Sequence, residues 1–385
     1  MASNFKVMQV IPKLGFGGAE TGCYDIAHFL AEKDCKSIIV TSGGPLIKYV
    51  RKKKVKIIKL PVHLKNPLAL IFNTLALIIL QIFYRIDIVH ARSRAPAWSC
   101  YLSTFFTRRK FVTTFHGTYN FKNKFKKFYN SVMVKSKLVI AGSNFIFDHI
   151  NENYEKYLNH KNKLLVIFRG INLNYYDPQN ISDIKLLKLK KEWGINDDNF
   201  KVLLPGRLTN WKGQLNFIEA LNILIEDYKN DKFQAIILGS DQGRNVYKKK
   251  LQSLIDRYNI NKKIIFIEHC KDMPLAYTVS DIVVSSSIEP EAFGRVAVEA
   301  QAMQKPIIAS KLGGSMETIV HNKTGILYKF DDPRELAKNI NSFMETDKLA
   351  LNIMGVEGRK NVMKKFDVDK MCQSTFNEYK KLLNL

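Results

Sequence analysis

The sequence predicts an α/β chain of two doubly wound, Rossmann-like domains, each built on a parallel sheet. Three observations lead there. At 385 residues the chain is too long for one ordinary hydrophobic core. Short β-branched apolar runs alternate with helical stretches, the order a parallel sheet requires. Those runs fall into two sets, each sufficient for one domain.

In the first half, strands are expected at residues 6–11, 37–41, 56–60, 87–91, 111–115, 138–141 and 164–168. In the second half they are expected at 202–205, 234–238, 264–267, 282–285, 306–309 and 326–328. The division falls after Arg169-Gly170, in the polar region 172–180, giving domains of residues 1–172 and 173–366. A terminal helix is expected within 367–385, where Met371, Phe376, Tyr379, Leu382 and Leu383 recur at helical spacing and suit packing back on the first domain. The longest apolar segment, residues 68–84, would rise about 25 Å as a helix, short of a hydrocarbon core of about 30 Å. It contains Asn73, Thr74 and Gln81, and we read it as a buried helix of the first domain in preference to a shallow membrane contact.

With 46% hydrophobic residues and no low-complexity stretch, the chain is expected to be globular throughout. The N-terminal apolar run, about six residues long, reads as a first strand and not as a signal peptide. The five cysteines, Cys23, Cys35, Cys100, Cys270 and Cys372, are scattered and odd in number. They form no CxxC pair, which argues against a disulfide framework and fits a reducing, cytoplasmic setting. Net charge is +25 and unevenly placed. Residues 1–170 carry 28 Lys and Arg against 8 Asp and Glu, whereas 171–385 carry 32 against 27. That contrast points to an anionic partner for the first half. Nucleic acid is the rival partner that a pI near 9.7 raises, but no helix-turn-helix, zinc or RNA-recognition motif accompanies the charge.

Open α/β sheets bind ligands at the carboxyl ends of their strands, so the turns after strands carry the candidates. After strand 202–205 come Arg207 and, at the next helix start, Lys212, two cations suited to a diphosphate. After strand 282–285 runs a loop through Pro290 and Glu291, then a helix expected from about Phe293. Backbone N–H groups over Phe293, Gly294, Arg295 and Val296 would form an anion site at that helix N-terminus. Glu291 is placed to accept from sugar hydroxyls, and Glu299, in the second turn, to accept from both ribose hydroxyls. In the first domain Gly15-Phe16-Gly17-Gly18 lies between a strand and a helix, without the spacing of a dinucleotide fingerprint. His116 ends strand 111–115. Arg92 and Arg94 follow strand 87–91 and suit an acidic acceptor, while Lys122, Lys124, Lys126 and Lys127 interleave with Phe121, Phe125, Phe128 and Tyr129 in a segment compatible with anionic lipid heads. Asp367-Val368-Asp369 has the form of a metal-binding DxD but stands apart from the other candidates, and no metal is expected.

Arg207 with Lys212, followed by Glu291 and Glu299, resembles the retaining glycosyltransferases of family four, which have the GT-B architecture of two Rossmann-like domains facing across a cleft. The resemblance extends through Ala302-Met303-Gln304-Lys305-Pro306, Gly313-Gly314-Ser315-Met316-Glu317 and Lys323-Thr324-Gly325, covering roughly residues 202–335, and reaches Gly15–Gly18 and Phe115-His116-Gly117 in the first domain. It implies that Arg207 and Lys212 hold the donor diphosphate, that Glu299 binds the ribose and Glu291 the donor sugar, and that His116 approaches that sugar. Gly17 and Gly18 would let backbone come close to the phosphates. It further implies hexosyl transfer with retention from a UDP- or GDP-linked sugar to a glycan or glycolipid acceptor, of the lipopolysaccharide or capsule type. The nucleotide sugar is a co-substrate, and no cofactor or metal is implied. Ala292, Gln304 and Arg295 depart from the commonest family pattern and are read as tuning the sugar pocket. A sugar-nucleotide epimerase or a phosphorylase on the same plan is the alternative enzyme. The implied location is cytoplasmic, with possible peripheral contact to the inner membrane face.

Overall fold

A computed structural model describes residues 5–119, 121, 123–159, 162–243 and 245–385. The chain divides into two compact units, Met1–Gly170 with Val368–Leu385, and Ile171–Asp367. Residues 171 and 172, expected in the first domain, therefore belong to the second unit. Ile171 donates its N–H to the Phe366 carbonyl at 2.9 Å, which closes that unit at both ends.

The first unit is a parallel sheet of β1 (Lys6–Val10), β2 (Lys36–Thr41), β3 (Val55–Lys59), β4 (Ile88–Ala91), β5 (Lys110–Phe115), β6 (Leu138–Ala141) and β7 (Lys163–Val166). Its order is β3-β2-β1-β4-β5-β6-β7. Helices α1 (Gly18–Glu32), α2 (Pro67–Phe83), α3 (Arg94–Thr107), α4 (Lys124–Ser131) and α5 (Asn144–Tyr154) connect it. Every residue of β4 and β6 is buried, as expected of parallel strands covered on both faces.

The second unit is a parallel sheet of β8 (Phe200–Pro205), β9 (Phe233–Leu238), β10 (Ile264–Ile267), β11 (Ile282–Ser285), β12 (Ile307–Ser310) and β13 (Ile326–Tyr328), ordered β10-β9-β8-β11-β12-β13. Around it lie α6 (Asp183–Trp193), α7 (Gln214–Glu226), α8 (Asn245–Arg257), α9 (Met273–Val279), α10 (Arg295–Ala302), α11 (Ser315–Thr318), α12 (Pro333–Glu345) and α13 (Lys348–Lys365). Its core joins Phe217, Leu221 and Leu224 of α7 to Val202, Leu204 and Ile237 of the sheet. Each strand of both sheets lies within two residues of its expected position.

The terminal helix α14 (Val368–Leu382) belongs to the first unit. Phe376 stacks on Phe5 at 5.6 Å, and Tyr379 meets His90 Nδ1 of β4 through its hydroxyl. Met371, Cys372, Phe376 and Tyr379 thus complete a core shared with β1, β4 and β5.

The segment 68–84 corrects the expectation of a buried helix. It forms α2, but Asn73, Thr74, Leu77 and Gln81 face inward while Ile71, Leu75, Ile79 and Phe83 are exposed. A polar seam sets this orientation. Gln81 Nε2 donates to Ser103 Oγ of α3 at 2.8 Å, and Thr107 Oγ1 donates to Gln81 Oε1 at 2.6 Å. Ser99 Oγ donates to the Leu70 carbonyl at 3.3 Å, and Asn73 Nδ2 to the Pro61 carbonyl at 3.2 Å. The basic-aromatic segment at 121–129 is helical only from Lys124, and Lys122 lies outside the described residues.

In both sheets the connections reverse direction between two neighbouring strands, β1 and β4 in the first and β8 and β11 in the second. The crevice beyond such a pair is where this topology admits a ligand.

Candidate functional site

In the second unit the switch-point strands deliver the candidates together. β8 leads through Gly206 to Arg207, which is exposed, and a short 3₁₀ turn, Asn210–Lys212, ends on Lys212. β11 leads into the loop 286–294. One side-chain hydroxyl and one backbone N–H tie that loop to the Lys212 turn. Ser286 Oγ donates to the Lys212 and Gly213 carbonyls at 3.1 and 3.0 Å, and Ile288 N–H donates to the Trp211 carbonyl at 2.9 Å. The approach requires glycine at position 213. Its φ is +69°, and a Cβ there would stand 1.8 Å from the Ser286 carbonyl oxygen.

This stitching brings Lys212 to Glu291 across 79 residues of chain, Nζ to Oε1 at 2.7 Å. Their side chains are 12% and 10% exposed. Ser287 Oγ donates to the same Glu291 oxygen at 2.6 Å. Burial would push the Glu291 carboxyl up, but Lys212, Ser287 and the nearby Arg207 outweigh it and hold the group below its usual range. Lys212 Nζ also lies 4.4 Å from the centroid of the Trp211 ring. On the other side the Glu291 backbone is held by Gly314, whose N–H donates to the Glu291 carbonyl at 2.7 Å. A Cβ on Gly314 would reach 2.5 Å from Phe293 Cα, so the loop depends on that small residue.

The helix beyond this loop starts at Arg295, two residues later than expected, with Gly294 at its N-cap and no side-chain cap. Val296 therefore lies in an open first turn. The Phe293 side chain is buried edge-on against Phe366, 5.5 Å between centroids, so it anchors the loop. Glu299 is buried with partners on both oxygens, Arg295 Nε on Oε1 and the Tyr277 hydroxyl on Oε2 at 2.8 Å. Arg295 is thus the i,i+4 counter-ion of Glu299. Burial lowers the Arg295 guanidinium, but Glu299 and Tyr176 more than reverse this and raise it. Tyr176 and Tyr277, both buried, rise for burial first and for the Glu299 charge second. Sequence reasoning missed these two tyrosines and Ser287.

In the first unit three strand ends converge on one cavity of about 610 Å³. Its charged lining residues are Lys13, Lys65, Arg92, Arg94 and Lys126, opposed by one acid, Glu20. Arg92 follows β4, is 3% exposed, and its Nε has no hydrogen-bond partner among the described residues. Arg94 donates to Asn130 Oδ1 at 3.0 Å and lies 4.3 Å over the Tyr119 ring. His116, after β5, also lines the cavity, and neither ring nitrogen has a partner among the described residues. Burial first, then Arg92, Arg169 and His90, lowers its pKa well below the ordinary value, so the imidazole is neutral at neutral pH.

Gly17 is the N-cap of α1 and offers no side-chain cap, and the Glu20 carboxylate of the first turn folds back to within 2.5 Å of where a Gly17 Cβ would stand, so an acid of the chain itself lies at this helix start. Gly18 lies against the movable guanidinium end of Arg169, a residue that sequence reasoning overlooked. A Cβ at Gly18 would stand 2.1 Å from Arg169 Nη2. Arg169 follows β7, a strand-end position that could have singled it out. In the DxD segment Asp367 ends the second unit while Asp369 lies in the first turn of α14 of the first. Among the described residues no group of three His, Cys, Asp or Glu side chains could hold a metal.

Comparison with known proteins places the fold in a family. The family model "Glycosyl transferases group 1" matches residues 187–360, and "Glycosyltransferase Family 4" matches 16–175. The chain is 37% identical to a glycosyltransferase from Rickettsia africae ESF-5, whose crystal structure superposes with a TM-score of 0.89 over 99% of each chain. Anabaena HepE, solved with UDP and glucose, is 24% identical and shares the fold at a TM-score of 0.83 over 98% of this chain and 99% of that one. Spore coat protein SA of Bacillus subtilis (strain 168) is 26% identical over 305 residues, 77% of this chain and 79% of its own. With two parallel Rossmann-like sheets, both family models and a full-length relative in agreement, the chain belongs to the GT-B glycosyltransferases of family four.

Proposed function

We propose that the chain transfers a hexosyl unit from a nucleoside-diphosphate sugar to a glycan or lipid-linked acceptor, with retention of configuration. The observation that carries this reading is the convergence of Arg207, Lys212 and Glu291 at the β8–β11 switch point, beside the uncapped start of α10. As the bond between the sugar C1 and the phosphate oxygen breaks, negative charge grows on the diphosphate. Arg207, the Lys212 ammonium and the α10 N–H groups are suited to receive it. Lys212 has three donors and gives one to Glu291. The acceptor hydroxyl then bonds to C1 on the face the nucleotide leaves, and its proton passes to the departing phosphate oxygen, so no dedicated base is needed. Glu299 retains acceptor lone pairs beyond its bonds to Arg295 and Tyr277, which leaves capacity for a ribose hydroxyl. This scheme calls for no cofactor besides the donor.

On the acceptor side, the five-to-one cationic lining of the first-unit cavity supports an acceptor with a phosphate or carboxylate, met by Arg92 and Arg94. His116, neutral and without a ring partner among the described residues, supports a role in contacting a sugar. The lipopolysaccharide or capsule type of product and a cytoplasmic location belong to this proposal. HepE has been solved with UDP and glucose, so uridine donors are the first to test. Incubation with a panel of UDP- and GDP-sugars, reading released nucleotide, tests the reading. Release from one donor class, absent in Lys212→Ala and Glu299→Ala, is expected. No release from any donor, or near-native release in both variants, overturns it.

A further inference from the structure

We propose that the outward face of α2 seats the first unit on an anionic lipid bilayer. The face is a single stripe. Leu68, Ile71, Phe72, Leu75, Ile79, Ile82 and Phe83 follow helical spacing along one side, with Leu68, Ile79 and Phe83 exposed to 80%, 65% and 74%. Ordinary amphipathic helices turn this stripe inward. Here the bond of Gln81 to α3 and that of Asn73 to the Pro61 carbonyl hold both inside, so the apolar side has no partner among the described residues of its unit. The seam pairs Leu70 with Ser99 and Gln81 with Ser103 and Thr107, so α2 and α3 run parallel. Phe105 and Phe106 of α3, exposed to 70% and 67%, therefore lie at the same end as Ile82 and Phe83.

Charge selects the occupant. Tyr84, which caps α2, carries Lys36 Nζ at 4.9 Å and Lys56 Nζ at 4.6 Å over its ring. Lys65 precedes the helix, Arg85 follows it, and Arg108 caps α3, all exposed. From residue 35 to residue 147 the sequence has 21 Lys and Arg and one acid, Asp87, whose carboxylate accepts from the Lys6 backbone N–H. A second copy of the chain would bring its own cations against these, and like charges oppose that pairing. An anionic bilayer accepts the apolar stripe below its headgroups and the lysines at its surface. At 17 residues α2 lies in the interface, and no helix among the described residues is long and apolar enough to cross a membrane.

The test is sedimentation of the full chain, without any sugar donor, with vesicles of phosphatidylcholine alone or containing about 30% phosphatidylglycerol. Leaving out the donor makes the result independent of glycosyl transfer. Binding to the anionic vesicles at least tenfold above the neutral ones, weakening as salt rises from about 0.1 to about 0.5 M, is expected. Leu75→Glu with Ile79→Glu, both at exposed positions, should lose that binding at least tenfold with unchanged circular dichroism. Lys36→Glu with Lys56→Glu should weaken anionic binding through charge alone. The proposal fails if the native chain binds neither vesicle or both equally, or if the Leu75/Ile79 variant still binds. It also fails if ultracentrifugation finds a dimer that this variant dissolves, which would give the face to a second copy.

Discussion

Replacing Lys212 with Met probes the charge balance of the second unit most directly. Lys212 and Glu291 lie 2.7 Å apart with side chains 12% and 10% exposed, so the pair is largely withdrawn from water. Removing one partner of a buried pair leaves an uncompensated charge and costs about 3–5 kcal/mol. Ser287 still donates to Glu291 at 2.6 Å, which places the loss near the lower end, at about 3 kcal/mol. Glu291→Gln should cost less, about 1–2 kcal/mol, because its amide oxygen can keep both donors. The double variant should then be more stable than the sum of the singles by about 1–3 kcal/mol. Urea unfolding at neutral pH measures these differences, and nucleotide release from the donor measures turnover in the same samples. Turnover in Lys212→Met should fall on the order of 10² to 10³, and adding Glu291→Gln should recover stability without recovering turnover. Stability changes that add within about 0.5 kcal/mol would show that the pair is not coupled. Turnover close to native in the single variant would remove Lys212 from the donor site.

Three further outcomes follow from single contacts. Gly213→Ala combines φ of +69° with a Cβ 1.8 Å from a backbone oxygen, and thermal or urea unfolding should register a loss of roughly 3 kcal/mol or more. Tyr277→Phe removes the hydroxyl that donates to Glu299 Oε2 at 2.8 Å, a bond to a buried charge worth about 1.5–3 kcal/mol, and isothermal titration should find weaker nucleotide binding as Glu299 loses its fixed orientation. His90 is buried between Tyr379 and Thr114, and burial, then Arg92, lowers its pKa well below the ordinary value. The unfolded chain takes up a proton near pH 6.5 that the folded chain refuses, so stability is full above that pH and is lost as pH falls below it. His90→Gln should make the fall in stability between pH 7 and pH 5 shallower, and an unchanged slope in urea unfolding would rule out this origin.

The strands were readable because parallel sheets covered on both faces need continuous runs such as Ile282-Val283-Val284, which a sequence displays locally. The Glu299–Arg295 pair is equally local, an i,i+4 spacing, but the departure of Arg295 from the family pattern points to the sugar pocket and not to a counter-ion. Tyr176 and Tyr277 were not readable. They reach Glu299 from 123 and 22 residues away, and nothing in their own neighbourhoods points to an acid. The sequence places Lys212 and Glu291 after neighbouring strands but does not display their direct contact, which depends on ties from the Ser286 hydroxyl and the Ile288 N–H that no spacing rule shows.

The α2 segment shows why an apolar count cannot assign a burial direction. Its stripe of Leu68, Ile71, Leu75 and Ile79 and its stripe of Asn73, Leu77 and Gln81 both have helical spacing, so periodicity alone leaves two orientations open. What decides is α3, whose facing residues Ser99, Ser103 and Thr107 offer hydroxyls. Turning Ile71 and Ile79 toward those hydroxyls would leave Gln81 and Ser103 without each other, at about 1–3 kcal/mol for each polar group left unpaired. Seven exposed apolar side chains would gain from the same turn in water. A polar seam that holds against that gain fits a helix whose outer face meets a medium other than water, and it joins the burial pattern of α2 to the charge excess of the first unit.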